Sequence, residues 1–396
     1  MNIGINGLGR IGNLQVWKQC DSDAFDRIVV NVGRQVGQSL HDLAAYIEHD
    51  STYGNISSFL HGHKGGRVIS EVDDTTGTMR VNGKAVTILR SARNPGSIAW
   101  DTNNVRLVVD TTGVFKDPTE QGDCASGSCQ GHVMAGADKV IVSAPFKIKA
   151  KGTQVPDDAV TLVAGINDSD YIPRRHTYIS AASCTTTCLA YMMKPMLEAI
   201  GADKFLSASM VTVHAATGSQ QVLDRLPGPG ARDRRKSRSV FNNIILTSTG
   251  AANALAQVIP EMRSIGFIAE SVRIPTSSGS LIVLVLNLEE RPDNPLRRKF
   301  VQQVYREYSE RNPYLVYTEE QNVSSDIVGM PAAAAVIEAS EIHTRTGCIT
   351  VHPEHSAREG LQIPVTQVVV YGSHHHEIVV FLNALLSLIP RFPEEM

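Results

Sequence analysis

Aromatic residues are scarce in this chain, 6% of 396, with only two tryptophans. Neither charge sign dominates: 37 lysines and arginines stand against 40 aspartates and glutamates, a formal net charge of −3. That balance gives no electrostatic case for nucleic acid as a principal partner. Long apolar runs are missing as well. The longest candidate, 378–389, is broken by Asn383 and falls short of the ~20 residues a membrane span needs, so no membrane partner is expected. Six cysteines in a chain of this length make no disulfide scaffold. Met1 to Gly7 has no basic region followed by a long apolar core and does not read as a signal peptide. The expectation is a cytoplasmic protein of two domains.

What is present begins at residue 3. Ile3-Gly4-Ile5 reads as a short strand, followed by Gly7-Leu8-Gly9-Arg10-Ile11-Gly12 and an amphipathic helix through Trp17. This is G-x-G-x-x-G between a first strand and a first helix, the place where it binds a dinucleotide. Gly7 permits the tight turn, Gly9 lets the backbone approach a pyrophosphate, and Gly12 lets helix and strand pack closely. The helix N-terminus receives the phosphate charge.

A second strand, Arg27 to Val32, ends where an NAD-binding unit normally carries an acidic residue for the adenosine ribose. Here Val32, Gly33 and Arg34 follow one another. Without the carboxylate a 2′-phosphate is not repelled, and Arg34 would bind one; a solvated Arg34 is the equal alternative. Arg106 to Asp110 leads into Thr111-Thr112-Gly113, and Lys139 to Val142 into Ser143-Ala144-Pro145. Strands ending in small polar residues suit a doubly wound sheet that binds ligand at its carboxyl edge. The stretch 122–131 reads as a loop insertion. Its Cys124 and Cys129, near His132, lack a second pair at zinc spacing, so a surface loop without metal is expected.

Ser183-Cys184-Thr185-Thr186-Thr187-Cys188 follows a buried-strand pattern, 178–182, and precedes Leu189, Ala190, Met192, Met193 and Leu197 at helical spacing. Cys184 therefore stands at a helix start, where backbone N–H groups and the positive helix end raise the thiolate fraction. Taken alone, a buried structural cysteine is the commoner case.

Beyond residue 184 the strands Ser207 to Val213, Ser271 to Ile274 and Leu281 to Leu288 alternate and are rich in β-branched residues, as in a mainly antiparallel sheet. His214 ends the first of them. It is a general base if paired with an activated cysteine, and otherwise a satisfied structural residue. A basic loop runs from Arg225 to Arg238. Thr247-Ser248-Thr249-Gly250 precedes an alanine-rich helix, and hydroxyls, a helix start and cations together make a phosphate site.

These motifs together resemble the phosphorylating glyceraldehyde-3-phosphate dehydrogenases. The matches are 5–12, Asp50 to Gly54, Val142 to Pro145, Ser183 to Thr186, Ser248 to Ala252 and Arg273 to Thr276, in family order from residue 3 to about 373. The resemblance implies an α/β protein with a Rossmann domain over 1–183. It implies an α+β catalytic domain over 184–373, with a mainly antiparallel sheet, and a C-terminal helix over 374–396 packing back on the first domain. A homotetramer working in glycolysis or gluconeogenesis is also implied.

Carried over by position, Cys184 is the nucleophile and His214 the base. Attack on the aldehyde gives a hemithioacetal whose oxygen is stabilised by the Cys184 N–H and His214. Oxidation leaves a thioester that inorganic phosphate opens to an acyl phosphate. Thr217 and Arg273 match the site for the phosphate of the substrate. Ser183, Thr185, Thr249 and Gly250 match the site for attacking phosphate, together with a basic residue among Arg235, Lys236 and Arg238, of which Arg238 is preferred. The NAD site takes Gly7, Gly9, Arg10, Ile11, Gly12, Val32, Arg34, Thr112, Gly113, Ser143 and Ser373, with NADP tolerated.

Several positions depart from the family. Thr187 stands for Asn, Ser219 for Asp near the substrate phosphate, and Val32 for the ribose-binding Asp, whereas Leu226-Pro227 resembles the NAD-using members. The usual Tyr-Asp-Asn-Glu is Tyr371-Gly372-Ser373-His374, so the Asn that holds the nicotinamide carboxamide is missing; Ser373 or a histidine is the replacement donor. The run His374-His375-His376 points in different directions and makes a poor chelate. Three alternatives stay open: erythrose 4-phosphate as substrate, a weak paralogue that binds nucleotide and has an interaction role, and, last, nucleic-acid binding through the loop from Arg225 to Arg238.

Overall fold

The computed structural model describes residues 1–290, 296–330, 333–351, 361–375, 382, 385–387 and 389. It divides into two compact units, Met1–Ser183 with Glu377–Met396, and Cys184–His376.

The first unit is built on a nine-stranded sheet in the described residues. Its strands are β1 (Asn2–Asn6), β2 (Arg27–Asn31), β5 (Ile69–Asp73), β6 (Thr78–Val81), β7 (Lys84–Leu89), β8 (Val105–Asp110), β9 (Lys139–Val142), β10 (Ala159–Thr161) and β11 (Tyr178–Ser180), with the small hairpin β3 (His49–Asp50) and β4 (Gly54–Asn55) apart. The order is β10-β11-β9-β8-β1-β2-β7-β6-β5. From β10 to β7 all pairs are parallel, and the β5–β6–β7 edge is antiparallel. Ile3, Ile5, Ile28, Val29, Val30, Val108 and Val109 are fully buried, as expected where both sheet faces are covered.

Helix α1 (Arg10–Cys20) is buried nearly all round, through Leu14, Val16 and Trp17 but also Asn13, Gln15 and Gln19. The amphipathic helix expected from the sequence is instead a core helix. Trp17 donates to the Ile47 carbonyl at 2.6 Å, tying α1 to α2 (Leu40–Glu48). A short helix, α3 (Ile56–His61), follows the hairpin.

The expected surface loop at 122–131 is corrected by the structure. Helix α4 (Cys129–Met134) starts inside it, capped by Ser128, and Cys129 and His132 are fully buried. Trp100 Nε1 can only donate, and it donates to His132 Nδ1 at 2.9 Å. His132 Nε2–H therefore faces Asp110 Oδ2 at 3.0 Å. The aromatic neighbours and one carboxylate make this histidine a core element.

Of the C-terminal segment, Leu382, Leu385 and Leu386 are buried, and Leu386 and Ile389 share a hollow with Phe25 and Leu107. His376, Glu377 and much of 378–389 lie outside the described residues.

The second unit has an eight-stranded sheet in the described residues. It comprises β12 (Phe205–Ala215), β13 (Ile245–Thr247), β14 (Phe267–Ile274), β15 (Ser280–Glu289), β16 (Leu315–Thr318), β17 (Ala335–Glu338), β18 (His343–Val351) and β19 (Leu361–His374). The order is β13-β14-β12-β15-β19-β17-β16, with β18 also on β19. The sheet is mainly antiparallel, with β12–β14 and β16–β17 parallel. β19 pairs with β15 through His374, beyond the boundary at 373 read from the sequence.

Strand β15 alternates buried and half-buried residues along its whole length. Its buried set and that of β12 (Ala208, Met210, Thr212, His214) form one face. Helix α5 (Cys184–Ile200) packs against β15, β17 and β19, beside α6 (Ala251–Val258) and α7 (Arg298–Arg311); a short α8 (Ser324–Val328) contacts β19.

Candidate active site

In the first unit, the expected cofactor residues gather at the carboxyl ends of β1, β2, β8 and β9. The sheet order reverses there, between β1 and β8, and such a point opens a ligand crevice. Gly7 has φ +98°, and its N–H donates to the Asn31 carbonyl at 2.8 Å, turning the chain sharply after β1. A Cβ on Gly12 would stand 2.1 Å from the Gly7 carbonyl oxygen, so only glycine allows the helix this close. A Cβ on Gly9 would meet nothing within 4 Å. Gly9 is also the N-cap of α1, which no side chain caps.

An open backbone at an uncapped helix start fits the pyrophosphate of a dinucleotide. Asp110 supports the neighbouring turn: its Oδ1 accepts from the Thr112 hydroxyl at 2.6 Å and the Thr112 N–H at 3.0 Å. Its Oδ2 accepts from Asn6 at 2.8 Å. Thr112 is half-buried and Gly113 exposed, and the Ser143 N–H donates to the Asp110 carbonyl. Val32 is tied by its N–H to the Leu89 carbonyl, and Arg34 is exposed.

The junction before Cys184 is strained. Ala182, fully buried, has φ +53°, a left-handed conformation that costs a residue with a Cβ about 1–2 kcal/mol. Such outliers persist where surrounding structure over-determines them.

In the second unit, Cys184 opens the 17-residue helix α5 and is half-buried. Its Sγ lies 3.4 Å from His214 Nε2. The helix N-terminus favours the thiolate at this position. Cys188, one turn on, is fully buried among apolar groups, and burial pushes its thiol well above the ordinary range. The two thiols are separated by environment alone.

The sheet register sets the surroundings of His214. Arg273 of β14 pairs with His214, and its Nη1 contacts His214 Nδ1 while donating to the Ala215 carbonyl at 3.0 Å. The resemblance implies that this arginine serves the substrate phosphate; its Nη1 lies against the histidine and the Ala215 carbonyl. Burial lowers its pKa, with the Cys184 thiolate acting the other way. His214 Nδ1 is 2.8 Å from the Ala215 carbonyl oxygen. Nδ1 thus faces both an acceptor, the Ala215 carbonyl oxygen, and a donor, Arg273 Nη1; the tautomer with Nδ1–H donated to the carbonyl is the one that leaves Nε2 bare towards Sγ, as a general base requires.

Ser280 continues the row: its hydroxyl accepts from the Ala215 N–H at 3.1 Å, and its strand partner is His374. His374 is 1% exposed, and its ring centroid is 6.0 Å from that of His214. Its Nδ1 lies 2.8 Å from the His375 carbonyl oxygen, which can only accept, so Nδ1 carries the proton. Its Nε2 is buried and without a hydrogen-bond partner among the described residues, as is Arg273 Nε. Burial drives the His374 pKa down to about 4, so the ring is neutral at neutral pH. The sequence singled out neither Ser280 nor His374 for this row; the signal was their place on the buried face, two residues from Ile282 and Gly372.

Other expected residues sit apart from this row or make local contacts. Thr185 is buried in the first turn of α5 and Ser183 half-buried before it. Thr217 donates its hydroxyl to Gln220 Oε1 at 2.7 Å and pairs with Ser219 at 2.9 Å. Thr249 accepts from the Ala251 N–H at 3.2 Å, and Gly250 is the N-cap of α6. Arg238 forms an exposed ion pair with Asp224 at 2.7 Å, and Arg235 one with Asp233. Ser373 is half-buried in β19, between Leu281 and Val336.

Comparison with known proteins agrees with both halves. Residues 1–118 match the glyceraldehyde 3-phosphate dehydrogenase NAD binding domain, and 183–352 match the C-terminal domain of that family. A glyceraldehyde-3-phosphate dehydrogenase of Streptomyces coelicolor is 36% identical over 338 residues, covering 84% of this chain and 87% of that protein. The Geobacillus stearothermophilus protein is 33% identical, over 85% and 87% of the two chains. The chain has the NAD-binding domain of these proteins and belongs to the glyceraldehyde-3-phosphate dehydrogenase family.

Proposed function

We propose that this protein is a phosphorylating dehydrogenase that converts glyceraldehyde 3-phosphate and inorganic phosphate to 1,3-bisphosphoglycerate. The observation that carries the reading is the 3.4 Å approach of His214 Nε2 to Cys184 Sγ at the start of α5. The Cys184 thiolate attacks the aldehyde carbon, forming a C–S bond, and the Cys184 N–H and His214 hold the oxygen. His214 Nε2 removes the hydroxyl proton of the hemithioacetal as its carbon is oxidised. NAD, cradled by Gly7 to Gly12 with Thr112, Gly113 and Ser143 nearby, supplies the two-electron acceptor for that oxidation, and NADP is tolerated because no carboxylate stands at Val32. A thioester remains on Cys184. A phosphate oxygen then attacks its carbonyl carbon, the C–S bond breaks, and an acyl phosphate leaves with the thiolate restored.

Ser183, Thr185, Thr249, Gly250 and Arg238 serve the attacking phosphate in this reading. Thr217 and Arg273 serve the phosphate of the substrate, and Ser373 the nicotinamide end. The apolar outer face of the sheet, with Val211, Leu246 and Ile268 exposed on β12, β13 and β14, supports a homotetramer. Sedimentation analysis tests this, and a monomer would count against it.

Initial rates with NAD and NADP, with and without phosphate, on glyceraldehyde 3-phosphate and erythrose 4-phosphate test the reaction. Cofactor reduction should need phosphate or arsenate and vanish in Cys184→Ser; activity indifferent to that substitution would sink the mechanism. The exchange of Asn for Ser373 supports a second reading, a nucleotide-binding paralogue with little turnover. Substantial phosphate-dependent turnover by the purified chain eliminates it.

A further inference from the structure

The three central strands of the parallel sheet end on polar residues that stand opposite one another. Asn31 of β2 is in register with Asn6 of β1, and Asn6 with Asp110 of β8. All three side chains are buried, on strands whose preceding residues are mostly apolar. They are joined end to end. Asn31 Nδ2 donates to Asn6 Oδ1 at 2.8 Å, and Asn6 Nδ2 donates to Asp110 Oδ2 at 2.8 Å. At the β2 end, Asn31 Oδ1 accepts from the Gly33 N–H at 3.3 Å, where the chain turns at φ +67°. Asn31 Nδ2 also donates to the Ala92 carbonyl at 3.0 Å. At the β8 end, Asp110 Oδ1 takes both the N–H and the hydroxyl of Thr112.

Every donor in this ladder points towards Asp110, its single charge. His132 accepts from Trp100 at Nδ1, so the Nε2–H that it turns to Asp110 belongs to a neutral ring. Among the described residues no lysine or arginine pairs with this carboxylate. The ladder therefore has one polarity, fixed at β8. Turning the Asn6 amide over would set oxygen against oxygen at Asp110 and N–H against N–H at Asn31. Hydrogen bonds in such a buried chain strengthen one another, and a broken link has no water to turn to.

The ends of the ladder lie under the crevice. Gly33 stands between Val32 and Arg34, Thr112 precedes Gly113, and the glycine turn from Gly7 leaves β1 between them. We propose that Asn6 and Asn31 are positioning residues for the dinucleotide: with Asp110 they lock the two walls of the crevice, the turn at Gly33 and the turn at Thr112, into one piece that opens and closes together. The proposal concerns the crevice and not the chemistry at Cys184.

Two measurements on the full chain test it. Asn31 and Asp110 flank β1, about 10 Å apart across two strand spacings, a separation at which unlinked substitutions act additively. Asn31→Ala and Thr112→Val should each weaken NAD by about tenfold in calorimetric titration of the folded chain. Together they should cost little more than about tenfold, because the first break already frees both walls. Losses that multiply to about a hundredfold overturn the proposal, as does an affinity unchanged by either substitution. A ladder with only a structural role would lower the unfolding midpoint and leave the affinity of the folded chain alone.

The second measurement needs no variant. Hydrogen exchange resolved to single amides, in the cofactor-free chain, follows Gly33 and Thr112, each bonded to a side chain of the ladder. The two amides should share one protection and one dependence on dilute urea, as amides released by a single cooperative opening do. Protections that differ by more than about tenfold mean two independent turns, and the proposal fails. Neither measurement reads turnover, so failure here leaves the proposed reaction standing, and absence of phosphate-dependent turnover leaves the ladder standing.

Discussion

Gly372 of β19 lies so close to Met192 of α5 that a Cβ on it would stand 2.5 Å from the Met192 Sδ. The strand that carries His374 is thus pressed onto the helix that carries Cys184, two residues before the histidine. A valine at this position overpacks the contact and should lower stability by about 1–3 kcal/mol. Urea unfolding checks this as a lower midpoint with an unchanged slope. An unaltered midpoint would mean that the contact is loose.

The two thiols of α5 should react very differently. Iodoacetamide should label Cys184 first, and loss of turnover should track that label, because Cys188 is buried with its thiol held in the neutral form. Cys184→Ser should reduce turnover by about 10⁴-fold or more. Cys188→Ala should keep turnover and cost about 1 kcal/mol of stability. Fragment mapping by mass spectrometry checks the order of labelling, and Cys188 labelled first would refute it.

Gly9 and Gly12 should separate ligand binding from folding. An alanine at 9 has room in the protein, so Gly9→Ala should leave the melting temperature within a degree or two while weakening NAD at least about tenfold. Gly12→Ala collides with the Gly7 carbonyl and should lower stability by about 2 kcal/mol or more. Thermal unfolding and calorimetric titration with NAD distinguish the two. Equal loss of stability in both variants would contradict the assignment of Gly9 to the ligand.

Acid should destabilise the catalytic unit through His374. Its pKa is held at about 4 by burial, below the ordinary value of 6.5. The unfolded chain therefore binds more protons between those values. The stability contributed by the neutral ring is complete above pH 6.5 and is lost as pH falls towards 4, by about 3 kcal/mol. The groups that face the ring include Arg273, His214 and His375. His374→Phe should flatten this part of the stability profile; a profile unchanged by the substitution would contradict it.

The Asp110 network should be costly to break. His132→Ala leaves Trp100 Nε1–H and one side of a buried carboxylate without partners, and should cost about 3 kcal/mol or more. Because Asp110 also holds Thr112, NAD affinity should fall with it. Chemical denaturation and a cofactor titration provide the check, and a change below about 0.5 kcal/mol would show the network to be dispensable.

Much of this architecture is written in local patterns. The glycine spacing at 7–12 reports a turn, an open backbone and a close helix within six consecutive residues, and each requirement acts over one or two bonds. The strands of the parallel sheet are continuous apolar runs because both their faces are covered. Cys184 at a helix start is legible because the helical spacing begins immediately after it. The loop read at 122–131 misled because glycine, serine and polar residues dominate it, whereas Cys129 and His132 are drawn inward by contacts with residues far along the chain.

The sequence by itself determined the class of fold, the dinucleotide cradle and the family, all of which rest on short-range spacing. Only the tertiary structure decided which side chains share the row beside Cys184. Arg273, His214, Ser280 and His374 come from four strands, and their meeting depends on strand order and register, which follow from burying one alternating face of the sheet beneath α5. A shift of one residue in any of these pairings would turn the side chain to the other face. For that reason the sequence could name the cysteine and the histidine of the site, but not the second imidazole placed beside them.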